Sequence, residues 1–385
     1  MSTTFLGYER PDGQIGVRNH VAIISVMENV NSVVKAIAAA VDGTIAIPTL
    51  FVRGQLGDDY ETTMASLAGL ATNPNVAGVV VIGLEPVTTG ELVARILPAG
   101  KPVEAVNVQL CGGSIEAIAM GTRYAARMVR DASRQFRVEA PISRLIVGVE
   151  CGGSDTTSGL ASNPAIGAVA DRVVAAGGMV VISETSEFLG AEHLFADRAP
   201  DPVVRQKFID AVTALERNVL AQGVDLRGSN PSKDNIRGGL TTIEEKALGA
   251  MSKAGTTPLV GVLGYGEKPE IPGMHFMATP APAVESLTAL AAGGCQIILF
   301  STGVGNPIGS MVSTTIKVTG NRNTAKGMAD NIDFDVSAIL EDGEAIAAAG
   351  TRLFDYTRSV ANGELTTSEI LDTRETSISR FGLSM

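Results

Sequence analysis

The chain has no tryptophan, 4% aromatic residues, three cysteines and three histidines in 385 residues. So few rings argue against a stacking platform for nucleotides or sugars. Three cysteines, far apart and odd in number, do not make a disulfide framework. No apolar stretch approaches about 18 uninterrupted residues, so no spanning helix is expected. Basic residues are also in deficit: 30 Lys and Arg against 41 Asp and Glu give a net charge of -11. That balance argues against binding to a phosphate backbone, and no nucleic-acid partner is expected. The opening MSTTFLGYERPDG lacks the charged-then-apolar pattern of a signal peptide, so the expected location is the cytoplasm, with no membrane partner.

What is present is a large apolar fraction, 45%, with 43 glycines. A chain of this length buries a substantial core and is expected to form two domains. Short β-branched runs at 20–26, 44–47, 76–82 and 102–108 alternate with helical patterns such as 30–41 and 60–70. That rhythm predicts a parallel sheet. Residues 1–138 thus read as a flavodoxin-like or Rossmann-like, doubly wound α/β domain ending in a helix over 115–136. A boundary is expected in 137–143, at Pro141. Residues 139–385 read as a larger C-terminal α/β domain. Strands are expected there at 145–149, 179–182, 259–263, 296–300 and 314–318, and helices at 165–176, 202–222 and 283–292. A polar loop is expected over 227–239.

Two polar clusters follow neighbouring strands of that second domain. Glu150-Cys151-Gly152-Gly153-Ser154-Asp155 follows one, and Glu184-Thr185-Ser186-Glu187 with Glu192-His193 follows the next. Consecutive parallel strands bring their carboxyl ends to one crevice, so a thiol, carboxylates and an imidazole converge on one small-molecule site. The loop from Ser154 and Asp155 through Thr156 and Thr157 to Gly159 is placed to offer backbone N–H groups to an anion. The simpler reading is a turn whose Ser, Thr and Asp cap the next helix. Cys151 taken alone is a small buried hydrophobe. Beside carboxylates and an imidazole, Cys151, Glu187, Glu192 and His193 make the expected metal neighbourhood, with oxygen-rich donors favouring iron(II), magnesium or manganese over structural zinc.

Further along, Asn235-Ile236-Arg237-Gly238-Gly239 leads into Leu240-Thr241-Thr242-Ile243-Glu244-Glu245-Lys246. Thr242 as cap with Glu245 at the third helical position predicts a capping box. Arg237 suits bidentate capture of a carboxylate or sulfonate, and Glu245 or Lys246 suits proton transfer. Thr302-Gly303-Val304-Gly305-Asn306-Pro307 is not a dinucleotide fingerprint, because Pro307 interrupts it and a strand follows. Thr302, with Lys317 on that strand, is expected to line the site, and no nucleotide cofactor is expected.

These residues carry a resemblance. Phe5-Leu6-Gly7-Tyr8 with Asp12-Gly13, Gly16-Val17-Arg18-Asn19-His20, the 151–159 loop running on to Asn163-Pro164, and 184–187 with 190–193 resemble the altronate/galactarate dehydratase family. So do 238–249 and 302–309. Within it, 45–48, 73–83 with Glu85-Pro86, 154–159 and 302–309 look most like the large-subunit branch that splits 3-sulfolactate into pyruvate and sulfite. The resemblance implies an iron-dependent or other divalent-metal lyase and a separately encoded small (alpha) subunit in a homo- or hetero-oligomer. Elimination from a small 2-hydroxy acid gives a 2-oxo acid, with Glu184, Glu245 or Lys246 transferring protons. Arg18, Asn19, Arg237, Thr302 and the 154–157 loop would hold substrate oxygens. Thr49 stands where the family has histidine, and Ala278 where it has aspartate. Those departures, with the Arg53 region, motivate a second reading as a non-catalytic assembly subunit.

Overall fold

The computed structural model describes residues 3–50, 52–226, 230–380 and 382. The start of the expected polar loop, 227–229, and the first two residues of the chain lie outside the described residues. Strands β1 (Thr4–Glu9) and β2 (Ile15–Gly16) pair antiparallel with each other, and β1 pairs on its other edge with β7 (Val138–Pro141). Between them β3 (His20–Ser25), β4 (Thr44–Ile47), β5 (Val76–Gly83) and β6 (Val103–Asn107) form an all-parallel sheet in the order β4-β3-β5-β6. Every residue of β5 is buried, which is why it reads as an unbroken apolar run rather than an alternation. Helices Asn31–Ala40, Gly57–Thr72 and Pro86–Ile96 supply the crossovers, and Ser114–Ala132 leads from β6 to β7.

The rest of the chain builds a seven-stranded parallel sheet from β8 (Ile146–Cys151), β9 (Met179–Ile182), β10 (Leu259–Leu263), β11 (Gly273–Met277), β12 (Ile297–Ser301), β14 (Thr314–Thr319) and β15 (Phe334–Asp335). A short pair, β13 (Gly309–Ser310) with β16 (Arg374–Glu375), stands apart. The strand order is β10-β11-β9-β8-β12-β14-β15. From β8 the chain winds outward through β9 to β10 and β11, then returns to the other side of β8 with β12. The crevice at the carboxyl ends of β8, β9 and β12 is therefore the topological switch point, where open α/β sheets take ligands. The expected α/β class with parallel sheets holds in both halves.

Residues 138 and 139 lie inside β7, paired with β1, so the segment read as a linker is hydrogen-bonded structure. Asn73 and Asn75, just before β5, donate side-chain N–H groups to the carbonyls of Ala291, Cys295, Gln296 and Val312 in the second half. Beneath the switch point, Phe188, Phe195, Phe208 and Phe276 interlock with ring centroids 4.8 to 5.3 Å apart. Edge-to-face pairs contribute about 0.5–1.5 kcal/mol each beyond burial. This cluster fixes the 3-10 turn Thr185–Phe188 and with it Glu187. No helix among the described residues is long and apolar enough to cross a membrane.

Candidate active site

Side-chain alternation along β8 decides which groups meet. Val147, Val149 and Cys151 face the helices Asn163–Ala175 and Ile243–Met251, whereas Ile146 and Glu150 face the helix Ala283–Ala292. Glu150 is wholly buried there. Its Oε2 accepts from Ser183 Oγ at 2.7 Å and from Ser286 Oγ, while Oε1 has no partner. Burial first, and then repulsion from Glu184, pushes its carboxyl well above the usual range, so it is held neutral.

On the other face, Lys253 closes a buried triad that the motifs did not disclose. Its Nζ lies 2.8 Å from Cys151 Sγ and 2.5 Å from Glu184 Oε2. The Cys151 backbone N–H donates to the same Glu184 oxygen at 2.9 Å, and Cys151 Sγ lies 3.8 Å from Glu184 Oε1. Burial alone would strip the charge from Lys253. The facing Cys151 sulfur and the Glu184 carboxyl, with Glu187 adding to them, more than offset that, so its pKa is raised. Burial, reinforced by Glu184, pushes the Cys151 thiol up against the pull of Lys253.

The triad depends on close helix approach. Lys253 sits in the turn Ser252–Ala254 that continues the helix Ile243–Met251. A Cβ on Gly159 would lie 3.2 Å from the Gly249 Cα, and one on Gly167 would lie 2.2 Å from the Ser252 carbonyl oxygen. Only glycine lets the backbones meet at Gly167. Glu184 itself has φ 72° and ψ 71°, a left-handed conformation uncommon outside glycine. Mutual bonds pin it: Glu184 N–H to Thr279 Oγ1, Thr185 N–H to the Thr279 carbonyl, and Thr279 N–H to Thr185 Oγ1. Strain held this firmly marks functional sites.

A second ion pair is mostly buried, with Lys246 reaching the edge of a cleft. Lys246 Nζ lies 2.8 Å from Glu187 Oε1 and donates to Asn230 Oδ1 at 2.8 Å. Lys246 also lines a cleft of ≈ 570 Å³ bounded by 154–160 and by the helix Ile243–Met251. Two buried acceptors in this neighbourhood have no hydrogen-bond partner: Asn163 Oδ1 in the cleft wall and Glu187 Oε2. Such atoms are costly to leave unpaired, so they mark places where a donor belongs.

The remaining expected site residues are scattered. Ser154, Asp155 and Thr156 line the cleft, but three of the loop's N–H groups are already used: Asp155 N–H goes to Ser158 Oγ, Thr156 N–H to the Gly238 carbonyl, and Ser158 N–H to Asp155. Thr157 Oγ1 donates to Asp155 Oδ1. These bonds are the ones the capping interpretation requires. Glu245 also serves the helix start, accepting from the Thr241 N–H at 2.7 Å while Thr242 Oγ1 accepts from the Glu245 N–H. The box thus closes on Thr241, one residue earlier than expected. Arg18 is a buried tie, paired with Glu369 at 2.6 Å and donating to the Val360 carbonyl; Asn19 bonds Arg10 and the Ala132 carbonyl. Arg237 is exposed and pairs with Asp234, one turn away on its own helix. Thr302 is buried and holds the Gly305 N–H, and Lys317 donates to the Pro307 carbonyl, so both brace the 302–309 loop. None of these five lines the cleft.

The expected metal set does not assemble. His193 is exposed on the short helix Glu192–Ala196, and an ammonium rather than an open position stands between Cys151 and Glu184. Among the described residues no group of three or more His, Cys, Asp or Glu side chains is arranged to hold a metal ion. Cys151, Glu187, Glu192 and His193 therefore do not fit a divalent cation in this arrangement, because the buried lysine already neutralises the carboxylate a metal would need.

Comparison with known proteins agrees with the fold and extends it. Residues 7–133 match the family D-galactarate dehydratase/Altronate hydrolase, second domain, and 142–384 match D-galactarate/Altronate dehydratase, C-terminal. The chain is 41% identical over 382 residues to the (2R)-sulfolactate sulfo-lyase subunit beta of Chromohalobacter salexigens, covering 98% of this chain and 97% of that one. It is 32% identical to the altronate dehydratase of Escherichia coli, covering 98% of this chain and 78% of the longer enzyme. Galactarate dehydratase (L-threo-forming) of Escherichia coli is 30% identical over 94% of this chain and 73% of its own length. The chain belongs to the galactarate/altronate dehydratase family and is an enzyme of the lyase class.

Proposed function

We propose that this chain is the large subunit of a two-subunit lyase that eliminates a β-substituent from a small 2-hydroxy acid, leaving a 2-oxo acid. The observation that carries this reading is the match in length and sequence to a sulfo-lyase beta subunit, against longer single-chain dehydratases. Sulfolactate, giving pyruvate and sulfite, is the first substrate; an altronate- or galactarate-type sugar acid is the second. The small subunit would supply what the longer relatives carry in the rest of their length.

The chemistry follows from the cleft. The α-hydrogen of a hydroxy acid is weakly acidic because the carboxylate already carries charge, so its removal needs a cation where the enediolate develops. Lys246 presents that ammonium to the cleft. Glu187, held by Lys246 through Oε1, keeps Oε2 free to take the proton, and Asn163 Oδ1 accepts a substrate hydroxyl. Sulfite departs without protonation, whereas hydroxide needs an acid; what surrounds the β-carbon then selects the leaving group. Lys253, Cys151 and Glu184 lie behind this pair and fix the helix that carries Lys246. The family resemblance implies a divalent cation, iron(II) first, which would supply Lewis acidity when bound.

The test is an anaerobic assay of the chain with its small subunit and iron(II) on sulfolactate, aldonates and aldarates. Release of 2-oxo acid and sulfite from sulfolactate supports the sulfo-lyase reading, and 2-oxo acid from a sugar acid supports the dehydratase. No divalent ion in the purified chain and no turnover, with or without the small subunit, supports the assembly-subunit alternative.

A further inference from the structure

The ammonium-to-sulfur distance in the buried triad is short for the contact it resembles. N–H···O bonds run at about 2.7–3.2 Å, and sulfur has a larger radius than oxygen. At 2.8 Å, Lys253 Nζ and Cys151 Sγ stand closer than an ordinary N–H···S contact yet too far apart for a direct bond. Two single bonds meeting at one bent oxygen span such a gap. The geometry points to Cys151 and Lys253 as a modification site: an oxidation-sensitive pair that cross-links through a single oxygen atom, Nζ–O–Sγ.

The step balances with hydrogen peroxide as oxidant. One peroxide converts the Cys151 thiol to sulfenic acid and leaves one water. Lys253 gives its extra proton to Glu184 Oε2, which lies 2.5 Å away, and becomes the free amine. A second peroxide removes one N–H hydrogen and the S–OH hydrogen as the N–O bond forms, and two waters leave. Nitrogen and sulfur together lose four electrons, which reduce both peroxides. Cys111 is half-buried and more accessible than Cys151, so exposure alone would direct oxidation there. The proximity of the amine is what favours the buried thiol. Once linked, Lys253 no longer donates an ammonium to Glu184, and the strained segment loses its counter-charge.

The experiment is intact-mass and peptide mapping, without reductant, of the full chain before and after hydrogen peroxide. The expected product is heavier by one oxygen and lighter by two hydrogens. It contains the Cys151 peptide joined to the Lys253 peptide and returns to the starting mass with dithiothreitol. Cys151→Ser and Lys253→Arg each lack it. Oxygen addition to Cys151 without a link, a link lacking the oxygen, or oxidation confined to Cys111 each overturns the inference. The readout is a mass, so its failure leaves the proposed reaction standing; and the wild-type map decides the matter if either variant does not fold.

Discussion

Removing the buried ammonium while leaving its partner is the sharpest perturbation of the site. In Lys253→Met the Glu184 carboxyl keeps the Cys151 N–H but loses the one counter-ion that lies within hydrogen-bond reach among the described residues. Breaking a buried pair by deleting one member costs about 3–5 kcal/mol, because a charge is left uncompensated. At roughly 2–4 °C per kcal/mol for domains of about 150–250 residues, the melting temperature should fall by about 10 °C. The sign with pH is fixed. Burial and Glu187 already raise the Glu184 pKa against the pull of Lys253, and losing the cation raises it further. The folded state then binds that proton more tightly than the unfolded state, so stability falls as pH rises above the ordinary carboxyl range. The variant should therefore lose more, relative to wild type, at pH of about 8 than at about 5. Adding Glu184→Gln should restore most of the loss, a coupling of about 2 kcal/mol or more in a double-mutant cycle. Thermal melts of the four proteins at both pH values measure this. Additive losses without pH dependence would refute the buried charge pair.

Three further outcomes follow from the same geometry. Gly167→Ala places a methyl against the Ser252 carbonyl and should cost about 1–3 kcal/mol of stability, read by denaturant midpoint, with activity falling as Lys246 and Lys253 shift. Burial lowers the Lys317 pKa to about 8, so unfolded chains hold that proton up to its ordinary value and wild-type stability should rise between those two pH values by about 3 kcal/mol. Lys317→Met should flatten that rise, as melts in alkaline buffers would show. Elemental analysis of the purified chain should give the same divalent metal content for Cys151→Ser as for wild type; a fall in the variant would restore Cys151 as a ligand.

Much of this architecture is legible in the sequence. The runs at 44–47, 179–182 and 259–263 are strands with the expected bounds, and the helix Ala283–Ala292 ends where its glycines begin. The site is legible only to its address, the carboxyl ends of β8 and β9. Lys253 escaped because it lies in a run of small residues, Gly249 to Gly255, where a lysine is ordinarily solvated. Its signal was those glycines, which allow helices to touch and bury what lies between. Strand parity also placed Glu150 on the face opposite Cys151, a separation that adjacency in sequence conceals. Arg18 resembled a ligand clamp because its partner, Glu369, is remote in the chain. His193 was drawn in by nearby carboxylates, yet its short helix turns it to solvent.

The claim that chemistry occurs at Lys246 and Glu187 is tested most directly by the turnover of Lys246→Met at saturating substrate, in complex with the small subunit. Its loss leaves the buried Glu187 without its partner, so a melt of the variant is run alongside and kcat is compared only for the folded complex. Loss of a positioned proton-transfer or charge-stabilising group costs about 10²–10⁴ in rate, so kcat should drop at least a hundredfold. A folded Lys246→Met complex with wild-type kcat would contradict the assignment.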